Sequence, residues 1–139
     1  MPARNLDKKD FETLSEFRYR LRRFLRFSER VTRKNGITPL QYLLLLHVKG
    51  FPGRNCATVG ELAERLQAQH HGVVALISRC EKLGWVERVQ GQTDRRSVEV
   101  HLTRNGERMA AKMAQLHREE HLNPSGSFLL PELRKLQEG

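Results

Sequence analysis

Thiols are scarce in this chain: Cys56 and Cys80 are the two cysteines among 139 residues, and they stand far apart. In the reducing compartment expected for it, a structural disulfide between them is not anticipated. Long apolar runs are missing too. No stretch reaches the roughly 18 apolar residues of a membrane-spanning helix. The opening Met1-Pro2-Ala3-Arg4-Asn5 lacks the apolar stretch of a signal peptide, so a cytoplasmic location is expected. Also missing are a Gly-rich phosphate loop, a nucleophile elbow and a Cys-x-x-Cys pair. Carboxylates are scattered among cations rather than paired. An enzyme is therefore not expected, nor a cofactor.

Acidic residues are outnumbered. Sixteen Asp and Glu face twenty-five Lys and Arg, a net charge of +9. Such an excess implies an anionic partner, either nucleic acid or an acidic membrane face, unless it only solvates the surface. The hydrophobic fraction of 38% allows a core, but a thin one, so some apolar surface is expected to be buried against a second copy.

Periodicity organises what remains. Leu14, Phe17, Leu21, Phe24, Ser28 and Val31 follow a 3-4-3-4-3 spacing, the seam of a long helix that Lys34-Asn35-Gly36 ends. Thr38-Pro39-Leu40-Gln41 combines a capping box with a proline at the first helical position, and opens a second, nearly all-apolar helix. Gly50 to Asn55 is a turn-rich loop, and Cys56 after it is also expected in a loop. Thr58-Val59-Gly60-Glu61 is another capping box, opening a short helix with Leu62, Ala63 and Leu66 inward. After a tight turn a longer helix runs from about His70 to Leu83, with Val73, Ile77 and Cys80 as its inner stripe and Gly84 after its end.

The period then changes to two. Trp85 to Gln90 and Ser97 to Leu102 are expected to be strands, joined by the polar tip Gly91-Gln92-Thr93-Asp94-Arg95-Arg96. Thr103 caps a last long helix carrying Met109, Met113 and Leu116. Asn123-Pro124-Ser125-Gly126-Ser127 breaks it, and Pro131 to Glu138 is expected to form a short terminal helix. The order predicts a mostly α fold with a small β-hairpin wing: a winged helix-turn-helix at 37–102, with N- and C-terminal dimerisation helices at 1–36 and 103–139. Apolar seams on these outer helices need a partner, and a homodimer is the economical solution.

Three stretches carry a resemblance: Glu61-Leu62-Ala63-Glu64-Arg65-Leu66; Ile77-Ser78-Arg79-Cys80-Glu81-Lys82-Leu83-Gly84-Trp85-Val86-Glu87-Arg88; and Asp94-Arg95-Arg96-Ser97-Val98-Glu99-Val100-His101-Leu102-Thr103-Arg104-Asn105-Gly106. In register, they resemble the multiple-antibiotic-resistance regulator (MarR) family. The run at 21–29 and His117-Arg118-Glu119-Glu120 look like one group within it, so the likeness covers about residues 10 to 122. It implies a transcriptional regulator, a repressor, bound as a homodimer to a pseudo-palindromic site in double-stranded DNA.

The residues support that implication. No Asp or Glu occurs between Arg65 and Cys80, and the first residues of a helix in the major groove reach base edges. His70, His71, Val74, Ala75 and Ser78 are the expected base contacts; Arg79, Lys82, Arg88 and Arg95 are the expected phosphate contacts. In the family's wing pattern Arg96 enters a narrow minor groove, and Asp94 restrains its planar fork. A solvated helix face and a solvated hairpin are the plain alternatives.

Arginines also crowd the first helix, at 18, 20, 22, 23, 26, 30 and 33. A phosphate-facing stripe, a solvated face, or a pocket for a small anionic effector are all compatible with them. Family members often bind aromatic acids, and the resemblance implies a pocket of Arg18, Tyr19, Arg22 and Tyr42. Peroxide sensing in the family it resembles uses a cysteine near the start of that helix, and none is there; Cys80 is expected to be an inert core residue. His117, Glu120 and His121, with His47, have helical spacing for zinc, but no metal is expected there. A winged-helix module used only for protein–protein dimerisation is the second reading; the basic wing and recognition helix are what it would not need.

Overall fold

The computed structural model describes residues 5–92 and 94–122. Its elements run α1 (Lys8–Lys34), α2 (Pro39–Lys49), β1 (Cys56–Thr58), α3 (Val59–Leu66), α4 (His70–Lys82), β2 (Val86–Gln90), β3 (Val98–Leu102) and α5 (Arg104–Leu122). The expected terminal helix at 131–138 lies outside the described residues. No helix among the described residues is long and apolar enough to cross a membrane.

Helix termini follow the local signals. Asp7 and Asp10 cap α1 reciprocally, each side chain accepting from the other's backbone N–H, so the helix starts well before the seam at Leu14. The capping boxes at Thr38 and Thr58 are both formed. Three helices close with the same pair of backbone bonds. Ile37 N–H reaches Thr32 O after α1, Ala68 reaches Ala63 after α3, and Trp85 reaches Cys80 after α4. At α4 the left-handed residue is Gly84, φ 81°, where the absent Cβ removes the penalty; at α3 it is Gln67, φ 50°, which bears it.

The chain divides into two compact units, one drawn from 5–30 and 117–122, the other Val31–Leu116. In the larger unit, Leu44, Leu45 and Val48 of α2 pack with Leu62, Val73, Ile77, Val86, Val100 and Met113 into one core from which solvent is excluded. Burial of this apolar surface drives the folding of the unit. In the smaller unit His117 is buried, its Nε2 2.8 Å from Ser28 Oγ, with Phe24 and Phe27 edge-on to its ring.

The expected hairpin is present as β2 and β3, and the sheet adds a third strand to it. The sheet has three antiparallel strands in the order β1-β3-β2. Cys56 is therefore not in a loop: it begins β1 and pairs with His101. Three residues are too few to display a period of two, but their backbone groups complete the outer ladder of β3. The root of the wing is tied by Thr103. Its Oγ1 donates to Gly84 O at 2.6 Å, its N–H donates to Trp85 O, and its Oγ1 accepts from Gly106 N–H at the start of α5.

Candidate nucleic-acid interface

Helix α3, the turn around Gln67 and helix α4 form a helix-turn-helix. Arg54 forks onto the Glu61 carboxylate, fixing the loop before α3 to its first turn. With the Thr58 cap, this holds the Glu61 carboxyl below its usual range, although its partial burial opposes the shift. Phe51 lies under two guanidiniums, with Arg54 4.4 Å and Arg65 5.3 Å from its ring centroid.

Helix α4 has two unlike faces. Val73, Ile77 and Cys80 are buried on one, and burial pushes the Cys80 thiol up to about 11. That agrees with an inert core cysteine. On the opposite face His71, Ala75 and Lys82 are exposed, and so are His70 and Arg79; Val74 and Ser78 are half-buried. The helix opens at Gln69 without a side-chain cap. The first-turn N–H groups thus have no capping side chain, and the positive end of the helix dipole is left open to an anion. The signal in the sequence is Gln69 standing where a Ser, Thr, Asp or Asn would cap.

Arg88 differs from the expected phosphate contact. Its guanidinium turns onto α4, donating to Glu81 Oε1 at 2.7 Å, Ser78 Oγ at 2.6 Å and the Val74 carbonyl at 3.2 Å. This brace joins the first wing strand to the outer flank of the helix. Spacing alone does not reveal it, because Arg88 and Ser78 meet only when β2 folds back along α4. Ser78 accepts here through its oxygen and keeps its own proton to donate.

At the wing tip Asp94 also acts differently from expectation. Its Oδ1 accepts from the backbone N–H of Arg96 at 3.0 Å, rather than gripping the guanidinium. Its carbonyl accepts from Ser97 N–H and Oγ–H, while Gln90 Nε2 donates to Arg95 O. A short polar side chain is well suited to such a turn. The result is a compact tip with the side chains of Arg95 and Arg96 exposed.

Of the residues expected to form an effector pocket, Tyr19 and Arg22 line a hollow of about 320 Å³ with Arg23, Arg26, Phe27, Arg30 and Glu120. Arg18 and Arg22 border a second hollow with Leu21 and Leu25. Tyr42 belongs to the larger unit, where it is buried in the core and its hydroxyl pKa is raised by that burial.

Comparison with known proteins gives this geometry its context. Residues 35–97 match the sequence profile of the MarR family. Over that segment the chain is similar to the MarR family. Solved structures share the fold around the matched segment. AbsC, a MarR family transcriptional regulator from Streptomyces coelicolor, superposes with a TM-score of 0.77 at 22% identity, over 98% of this chain and 92% of its own. A MarR family protein from Bacillus stearothermophilus gives 0.74 at 21% identity, over 96% and 92%. Overoxidized AbfR bound to DNA gives 0.62 at 25% identity, over 91% of this chain and 86% of that one. No curated protein matches the sequence.

Proposed function

We propose that the chain is a sequence-specific DNA-binding transcriptional regulator, a repressor that acts as a homodimer. The observation that carries this reading is the outer face of α4. It presents His71, Ala75, Ser78 and Lys82 without a carboxylate among them, and Arg88 braces it against a hairpin that ends in two exposed arginines. A helix of this width fits the major groove, while Arg96 suits the negative potential of a narrow minor groove. His70, His71, Val74 and Ala75 face bases, with Arg79, Lys82 and Arg95 at phosphates. The DNA-bound state of AbfR supports the same use of the fold.

Pairing of two chains is supported by apolar residues that the single chain leaves in water: Phe11, Leu14 and Leu25 on α1, and Leu122 on α5. The outer helical segments, 1–36 and 103–139, serve this pairing, and 37–102 reads the DNA. Two-fold symmetry then calls for half-sites about 34–36 Å apart. A small anionic effector, an aromatic acid, would find cations and a ring at Tyr19, Arg22, Arg23 and Arg26.

The test is selection of genomic fragments by the purified chain, followed by titration of the recovered site at increasing salt. With about six to ten phosphate contacts, affinity is expected to fall about 10³–10⁵-fold between 50 and 200 mM salt. Folded protein that ignores every fragment at low ionic strength overturns the proposal. A thermal-shift screen with aromatic acids checks the effector separately.

A further inference from the structure

The outer face of the three-stranded sheet gathers side chains that the DNA-binding reading leaves unused. Cys56 of β1 pairs with His101 of β3, and Glu99 stands two residues from His101 on the same face. His101 Nε2 lies 3.0 Å from Glu99 Oε1, and Cys56 Sγ lies 3.8 Å from that same oxygen. One nitrogen, one sulfur and one oxygen ligand atom thus fall within 4.8 Å of one another, and all three residues are half-buried. Tetrahedral bonds of about 2.0–2.3 Å require ligand atoms roughly 3.3–3.8 Å apart, so small side-chain rotations suffice.

We propose that Cys56, Glu99 and His101 form a binding site for a divalent transition-metal ion of the zinc class. The donor set favours this class over calcium or magnesium, which take oxygen ligands and have little use for a thiol. Charge agrees, since one thiolate and one carboxylate neutralise a dication. Arg54, the nearby cation, forks onto Glu61 and also reaches the Cys56 thiol, where it favours the thiolate that a metal needs. Glu87 pairs with His101 from the other side of β3 and adds a further carboxylate to the same face.

In the metal-free chain, burial and the Glu99 carboxylate push the Cys56 thiol up, so it is protonated and donates to Glu99. Binding releases the thiol proton to water; the proton that His101 Nε2 directs at Glu99 passes through solvent to Nδ1, which frees Nε2 to ligate. Three protein ligands leave a fourth position for water. The ion would bridge β1, which runs directly into the Thr58 cap of α3, and β3 of the wing. This site is distinct from His117, Glu120 and His121 on α5, and it does not depend on DNA binding.

The experiment is titration of the purified full chain with cobalt(II), followed by displacement with zinc. One cobalt per chain is expected, with a thiolate-to-cobalt charge-transfer band in the near ultraviolet that zinc abolishes. Cys56→Ser is expected to remove the band and Cys80→Ser to keep it, with far-UV circular dichroism verifying the fold. His101→Gln and Glu99→Gln, which leave β1 untouched, are expected to weaken zinc binding about tenfold or more, as read by competition with a chromophoric chelator. Cobalt binding without a thiolate band, a band that survives Cys56→Ser, or unchanged zinc affinity in both other variants overturns the site.

Discussion

The guanidinium of Arg88 donates to Ser78 Oγ at 2.6 Å, and the same side chain reaches Glu81 and the Val74 carbonyl. One residue of the wing therefore fixes the flank of the helix that carries the proposed base contacts. Replacing Arg88 with Ala is expected to cost about 1–3 kcal/mol of stability, measured by urea denaturation. Arg88→Lys should recover little, because a point charge cannot span these acceptors as a planar fork does. A lysine variant as stable as the parent would count against the brace.

Gly106 meets the backbone of Trp85 so closely that a Cβ would lie 1.9 Å from the Trp85 carbonyl oxygen. Backbone cannot step aside as a flexible side chain can. Gly106→Ala is expected to lower stability by about 1–3 kcal/mol, despite alanine's higher helix propensity. A rise in the melting temperature would contradict this packing.

The proposed contacts to bases and to phosphates are separable by measurement. Lys82→Ala should weaken binding across all sequences and reduce the salt slope by about 1. His71→Ala should change preference at one position by about 1–3 kcal/mol in a randomised-site selection. An unchanged base preference removes His71 from the reading set.

Burial lowers the pKa of His47 from its ordinary 6.5, and Arg65 adds to the effect. The unfolded chain then binds this proton more readily than the folded one. His47 contributes stability in full above about 6.5 and loses it as pH falls through the lowered folded value. His47→Gln is expected to flatten the fall of stability below pH 6.5, measured by thermal melts across pH. The Glu61 carboxyl, held low by Arg54 and Thr58, titrates further into acid and should leave that region unchanged.

Alkylation distinguishes the cysteines. Cys80, fully buried with its thiol raised to about 11, should stay unmodified by iodoacetamide in the native chain and react only on unfolding. Modification of Cys80 as fast as that of a free thiol would refute its burial.

Much of this fold was legible along the chain. Thr38 and Thr58 announced their helices because capping is a local matter, with side chain and backbone three residues apart. Helix α4 and the wing strands were legible from their periods. β1 was not, since Cys56, Ala57 and Thr58 are strand only through pairing with Val100 and its neighbours. The tip misled for a different reason. Asp94 and Arg96 suggest a side-chain pair, but the turn brings the Arg96 amide to the carboxylate first. Arg88 looked like a free cation because its three partners lie on another element.

The clasp at Thr103 has a mechanical outcome. With Thr103 bonded to both Gly84 and Trp85, the segment from 84 to 103 closes on itself like a buckled strap. A hinge at the base of this hairpin would first have to break those bonds, which leaves flexing to the loop beyond the strands.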